Sequence, residues 1–100
     1  MNVGAEPLTE ARARELATHF SIDLSLVGGI EWWVYGVETE MANLHFALTA
    51  ASSGLHLDSA TPLDELAARV AIRKLQLYRD WYQRLKRTED AAIKYWRQMK

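Results

Sequence analysis

Three histidines (His19, His45 and His56) and thirteen carboxylates are the side chains through which this chain could bind a metal or move a proton. Glu31, Glu38 and His45 are spaced by seven, so on a helix they fall along one side. A carboxylate metal site in a helical bundle needs a Glu-x-x-His pair on each of two helices. Ala42 stands three residues before His45, and Leu16 three before His19, so the pattern fails. No metal site and no cofactor are expected. Nucleophilic catalysis requires a Ser or Thr positioned by a base and an orienting group. Ser52, Ser53 and His56 share a segment, but no motif surrounds them. Gly28-Gly29 precedes a helical pattern without the longer glycine run, the Lys-Ser/Thr or the strand of a phosphate-binding loop. The chain has no cysteine, which removes disulfides, thiolate catalysis and Cys-based zinc sites and fits a reducing compartment. No catalytic residue is assigned, and the chain is expected not to be an enzyme.

One charged residue stands out by position. Lys74 falls within the apolar stripe of a helical pattern, between Val70 and Leu77. An ammonium drawn into an apolar face must either reach water along its stem or find a partner. The candidate partner is Glu40, with Glu38 as the neighbouring choice.

The elements that would position these residues are all helical. The pattern predicts an all-α, compact four-helix domain spanning residues 1–100, with helices near 9–20, 30–48, 62–78 and 81–98. Thr9 is the expected N-cap of the first helix, which carries a weak stripe of Leu8, Leu16 and Phe20. Ser21 to Gly29 reads as a connector. In the second helix Ile30, Trp33, Val34, Val37, Met41, Leu44 and Leu48 follow the helical template. Trp32, Tyr35 and Phe46 lie on the opposite side, as core or as a partner surface. After a Ser-Ser-Gly loop, Thr61 and Pro62 suit N-cap and first helical position. Leu63, Leu66, Ala67, Val70, Leu77 and Tyr78 would line the third helix. An unbroken helix from there of about 38 residues would be roughly 57 Å long, too long for a small domain. A break near Tyr78–Asp80 is therefore expected, with Asp80 and Gln83 forming a capping box. The fourth helix would bury Trp81, Leu85, Ala92, Trp96 and Met99.

The net charge of −1 hides a division. Residues 1–68 carry two basic and ten acidic groups, a balance of −8; residues 69–100 carry ten basic and three acidic, a balance of +7. Such asymmetry points to charged partners or to pairing between the halves. No apolar run approaches the ~20 residues of a membrane span, and Met1 to Glu10 has no signal-peptide pattern. A cytoplasmic protein without a membrane association is expected.

Two stretches carry a resemblance. The first is Ile22-Asp23-Leu24 through Gly36-Val37-Glu38-Thr39-Glu40-Met41, with Trp33 three residues before Gly36. The second is Arg69-Val70-Ala71-Ile72-Arg73-Lys74-Leu75 through Trp81-Tyr82-Gln83-Arg84-Leu85. Together, over about residues 15–90, they resemble a small, uncharacterised all-helical domain family of phages and bacteria. The resemblance implies a helical fold and a phage or bacterial setting. The family's second glutamate and adjoining histidine fall on Ala42 and Asn43, and its other histidine on Lys74, so its Glu–His cluster is lost.

These features suggest a non-catalytic protein-binding module, such as a phage or mobile-element inhibitor of a host complex; an anti-CRISPR or other anti-defence protein is the concrete version. Its partner would be a host protein or nucleoprotein complex. Glu31, Glu38, Glu40, Asp58, Asp64 and Glu65, with Trp32 and Tyr35, would occupy a nucleic-acid-binding site on it. A second reading is a nucleic-acid binder using Arg84, Lys86, Arg87, Lys94 and Arg97 of the basic C-terminal helix. A third is a degenerate metal-binding domain.

Overall fold

The computed structural model describes residues 7–51 and 62–99, and the side chains of all of these except residues 48–51. Four α-helices follow in order: α1 (Glu10–His19), α2 (Ile30–Ala51), α3 (Leu63–Leu77) and α4 (Trp81–Gln98). A 3-10 helix, Leu24–Val27, lies inside the connector between α1 and α2. The expected all-α four-helix architecture is what the chain adopts.

α2 is the centre. Its Trp33 and Val37 are completely buried, with Met41 nearly so. α1 supplies Ala13, Leu16 and Ala17, and α3 supplies Ala67, Ala68, Ala71 and Leu75. The division of sizes explains the packing: alanines on the outer helices let their backbones approach the large side chains of α2. Trp33 also donates its indole N–H to the carbonyl of Ala13 at 2.8 Å, so the largest core residue leaves no polar atom unsatisfied. This size pairing shifts the inner face of α3 from the one expected. Leu63, Leu66 and Val70 are half-buried, while Leu77 and Tyr78 are exposed.

The helix ends differ in how they are made. Thr9 caps α1 as expected, its hydroxyl accepting from the Arg12 N–H at 3.1 Å. Pro62 sits one residue earlier than expected, at the N-cap, and Thr61 lies outside the described residues. The capping box at Asp80 does not form. The Asp80 backbone is not extended (φ −102°, ψ 26°) and its carboxylate instead accepts from Arg84 Nε at 2.8 Å. Gln83, the other half of that box, points to the connector, where its amide donates to the Val27 carbonyl at 3.4 Å. Gly28 and Gly29 both adopt positive φ, 93° and 99°. At Gly28 the Gln83 amide and the Trp32 ring fill the space a side chain would need, so the pair is a turn into α2.

The largest departure is in α4. Its first turns pack, with Tyr82 buried and Trp81 and Leu85 against the core. Beyond Leu85 the helix leaves the domain, and every residue from Lys86 to Met99 is exposed. Ala92, Trp96 and Met99, expected in the core, are on the surface. α2 and α3 cover only the beginning of this 18-residue helix, which is about 27 Å long.

Candidate interaction surface

The expected pairing of Lys74 leads to the best-connected polar cluster of the domain. Glu40 is buried to 2% exposure on the inner side of α2. Its Oε2 lies 2.8 Å from Lys74 Nζ of α3 and accepts a 2.7 Å hydrogen bond from the Tyr82 hydroxyl of α4. Its Oε1 accepts from the Asn43 amide at 3.3 Å. Lys74 in turn lies over the Trp81 ring, 5.7 Å from its centroid. Burial, and then the Glu40 carboxylate, push the Tyr82 phenol far above its ordinary pKa, so it stays a donor. Gly36 makes this possible. The Tyr82 ring lies where a Cβ at Gly36 would stand, only 2.7 Å from the ring edge. Three helices thus meet on one carboxylate.

Three more of the acids expected to face a partner, Asp64, Glu65 and Glu38, are also engaged within the domain. Asp64 accepts two bonds from the Arg12 guanidinium, 2.8 Å from Nε and 3.0 Å from Nη2, which clamps α1 to α3. The Arg12 hydrogen bond holds the Asp64 carboxyl below the usual carboxylate range. Glu65 lies within 3.8 Å of Arg69 and 3.6 Å of His19. Glu38 accepts the Leu8 N–H at 3.2 Å. Glu31 remains exposed, and Asp58 lies outside the described residues, as do Ser52, Ser53 and His56. Trp32 and Tyr35 are half-buried and pack edge-on, their centroids 5.4 Å apart. Phe46 is exposed. Among the described residues, no group of three or more His, Asp or Glu side chains is arranged to hold a metal ion. A shallow groove of about 530 Å³ between the connector and α3, lined by Ile22, Leu26, Ile72 and Leu77 among others, contains no acid–base pair within bonding distance.

What the structure adds is the outer half of α4. Ile93 (50% exposed), Trp96 (65%) and Met99 (63%) continue, with Ala92, the same helical stripe that Trp81, Tyr82 and Leu85 bury further back. Tyr95 borders the stripe on one side and packs edge-on against Trp96. Arg97 and Lys86 border it on the other, and Lys94 and Arg87 occupy the back of the helix. The basic residues differ in their engagement. Arg84 pairs with Asp80, and Lys86 with Asp90 at 2.7 Å. Arg87, Lys94 and Arg97 form no ion pair among the described residues. No family model, curated protein or solved structure matches the chain. No helix of the described residues is long and apolar enough to cross a membrane.

The surface is therefore an amphipathic helix end: apolar and aromatic on one side, cationic on the other. Sequence reasoning singled out its cations but placed its apolar residues inside. The periodicity that marks the stripe was visible; nothing in a periodicity says whether the chain itself or another molecule covers it.

Proposed function

We propose that this chain is a non-catalytic protein-binding module whose contact element is the outer half of α4. The observation that carries the reading is the exposed stripe of Ala92, Ile93, Trp96 and Met99, which lies beyond Glu89 on the face that α4 buries further back at Tyr82 and Leu85. Large apolar groups on one exposed patch mark a binding surface, and Trp is among the residues enriched as anchors in such patches. The Glu40 cluster supports the same reading, because a helix anchored at its start loses less conformational freedom on binding.

The segregation of residue types favours protein over nucleic acid. A single-strand binder presents rings and cations together, so that bases stack while phosphates are neutralised. On α4 the Trp96 side and the Lys94 and Arg87 side face away from each other. The acidic-surface version of the inhibitor reading has few residues to use. Of its six carboxylates, Glu38, Glu40, Asp64 and Glu65 are occupied within the fold. The phage or mobile-element setting implied by the resemblance makes a bacterial lysate the place to search for the partner.

The test is capture of proteins from nuclease-treated bacterial lysate by the tagged chain and by its Trp96→Ser variant. A partner retained through nuclease and lost with Trp96→Ser supports the reading. Capture that disappears with nuclease restores the nucleic-acid alternative, and identical capture by both chains rejects α4 as the contact element.

A further inference from the structure

Resting on that reading, we infer the chemistry of the partner: a protein with an apolar groove flanked by carboxylates, into which the outer half of α4 lies as a helix. Three kinds of occupant compete for the stripe, and charge separates them. A second copy of the chain pairing α4 against α4 would bring the Arg97 and Lys86 edge of one copy near the same edge of the other, with Arg87 and Lys94 left facing outward. The acids of this segment offer no relief, since Asp90 is taken by Lys86 and Glu89 accepts from the Tyr35 hydroxyl at 3.3 Å. Elsewhere on a second copy, the exposed carboxylates are largely engaged: Glu10 with Arg14, Glu15 with Arg12 and Asp23 with Ser25. Like charges placed opposite one another disfavour a complex strongly. A lipid surface would need the whole apolar face of the helix in the interface plane. The inner part of that face, at Trp81, Tyr82 and Leu85, is already committed to the core.

A groove in an acidic protein meets both requirements. Ala92, Trp96 and Met99 recur at i, i+4 and i+7, the spacing with which one helix face enters a groove, with Ile93 beside them. Arg97, beside Ile93 at the edge of the stripe, would meet a carboxylate on the groove wall. Lys94 and Arg87, on the outside, would add long-range attraction and speed encounter. A basic amphipathic helix of this kind has the features of a calmodulin target.

Calcium-loaded calmodulin is accordingly the probe, used as a groove of the stated chemistry. The full-length chain is titrated with it by calorimetry at low salt, alongside vesicles containing anionic lipid and a sedimentation run of the chain alone. The expected result is binding to calmodulin that vanishes when calcium is chelated. Affinity should fall at least about tenfold for Trp96→Ser and again for Arg97→Glu, a tenfold change being 1.4 kcal/mol. Both substitutions are at exposed positions, and an unchanged circular dichroism spectrum verifies the fold. Absence of calmodulin binding, tighter binding to vesicles than to calmodulin, or a stable dimer of the chain alone would each overturn the inference. The two readings fail separately. If the lysate partner depends on Trp96 yet is indifferent to Arg97→Glu and to Arg87→Glu with Lys94→Glu, the protein-binding function stands and the acidic groove does not.

Discussion

At the scale of single residues, the domain depends on a few polar groups that must be satisfied because they are buried. Glu40 is the extreme case, a carboxylate at 2% exposure served by Lys74, Tyr82 and Asn43. Removing a donor from a buried acceptor costs more than the bond contributed, since the stranded group keeps its desolvation penalty. Tyr82→Phe is therefore expected to destabilise the domain by about 1–3 kcal/mol in urea denaturation. A loss under half a kcal/mol would mean that water replaces the phenol. A double-mutant cycle of Lys74→Met with Glu40→Leu should show coupling of about 1 kcal/mol, of the order found for contacting residues. Lys74 retains some solvent access, and near-zero coupling would mean that its ammonium is served equally well by water. The Arg12–Asp64 clamp makes a pH-dependent contribution. The folded state holds Asp64 below its unfolded value of about 3.9. The stabilisation is thus present above that value and lost as pH falls through the lower, folded one. Arg12→Met is expected to cost about 1 kcal/mol at neutral pH. The gap between variant and parent should shrink as pH falls through the lowered, folded-state value; a gap independent of pH would assign the effect to packing of the arginine stem.

At the scale of elements, sequence and structure diverge for identifiable reasons. α2 was legible because Ile30, Trp33, Val37 and Met41 are large and recur at helical spacing. α3 was harder, since its buried face is Ala67, Ala68 and Ala71, residues that contribute little to an apolar pattern, while the conspicuous Leu77 points outward. Lys74 was legible because a charge inside an apolar stripe demands a partner, whereas Arg12 and Asp64, 52 residues apart, carry no local signal of their clamp. The Tyr82–Gly36 contact also lacked a signal, since a glycine within a helix reads as tolerated rather than needed. It makes a sharp prediction. Gly36→Ala would ordinarily favour a helix by about 1 kcal/mol. In this helix the new methyl meets the Tyr82 ring, buried and hydrogen-bonded to Glu40. Overpacking of this kind costs about 1–3 kcal/mol, so the variant should be destabilised or, at best, neutral. In a Tyr82→Leu background the ring edge is gone, and the same substitution should become stabilising. A penalty that persists there would locate the strain elsewhere than in the ring.

At the scale of the whole molecule, the domain divides into a packed body and a projecting helix end. The body holds most of the acids, the greater part of them occupied internally; the projection holds Arg87, Lys94 and Arg97, without ion-pair partners among the described residues, and an exposed apolar stripe. This explains why the division of charge along the sequence does not by itself say which half is available. Net charge counts residues, but availability depends on pairing, and pairing is a property of the fold. It also explains why the outer half of α4 reads as core. An amphipathic stripe has the same periodicity whether its own chain or another molecule buries it. Stability measurements separate the two cases. Trp33 is fully buried, so Trp33→Ala should cost about 3–5 kcal/mol. Trp96→Ser and Met99→Ser, on the projection, should change the unfolding free energy by no more than about 0.5 kcal/mol. Both are measured by urea denaturation of the isolated chain, where no partner covers the stripe. If Trp96→Ser costs as much as a core substitution, the outer half of α4 packs on the body in solution, and the proposed binding surface does not exist.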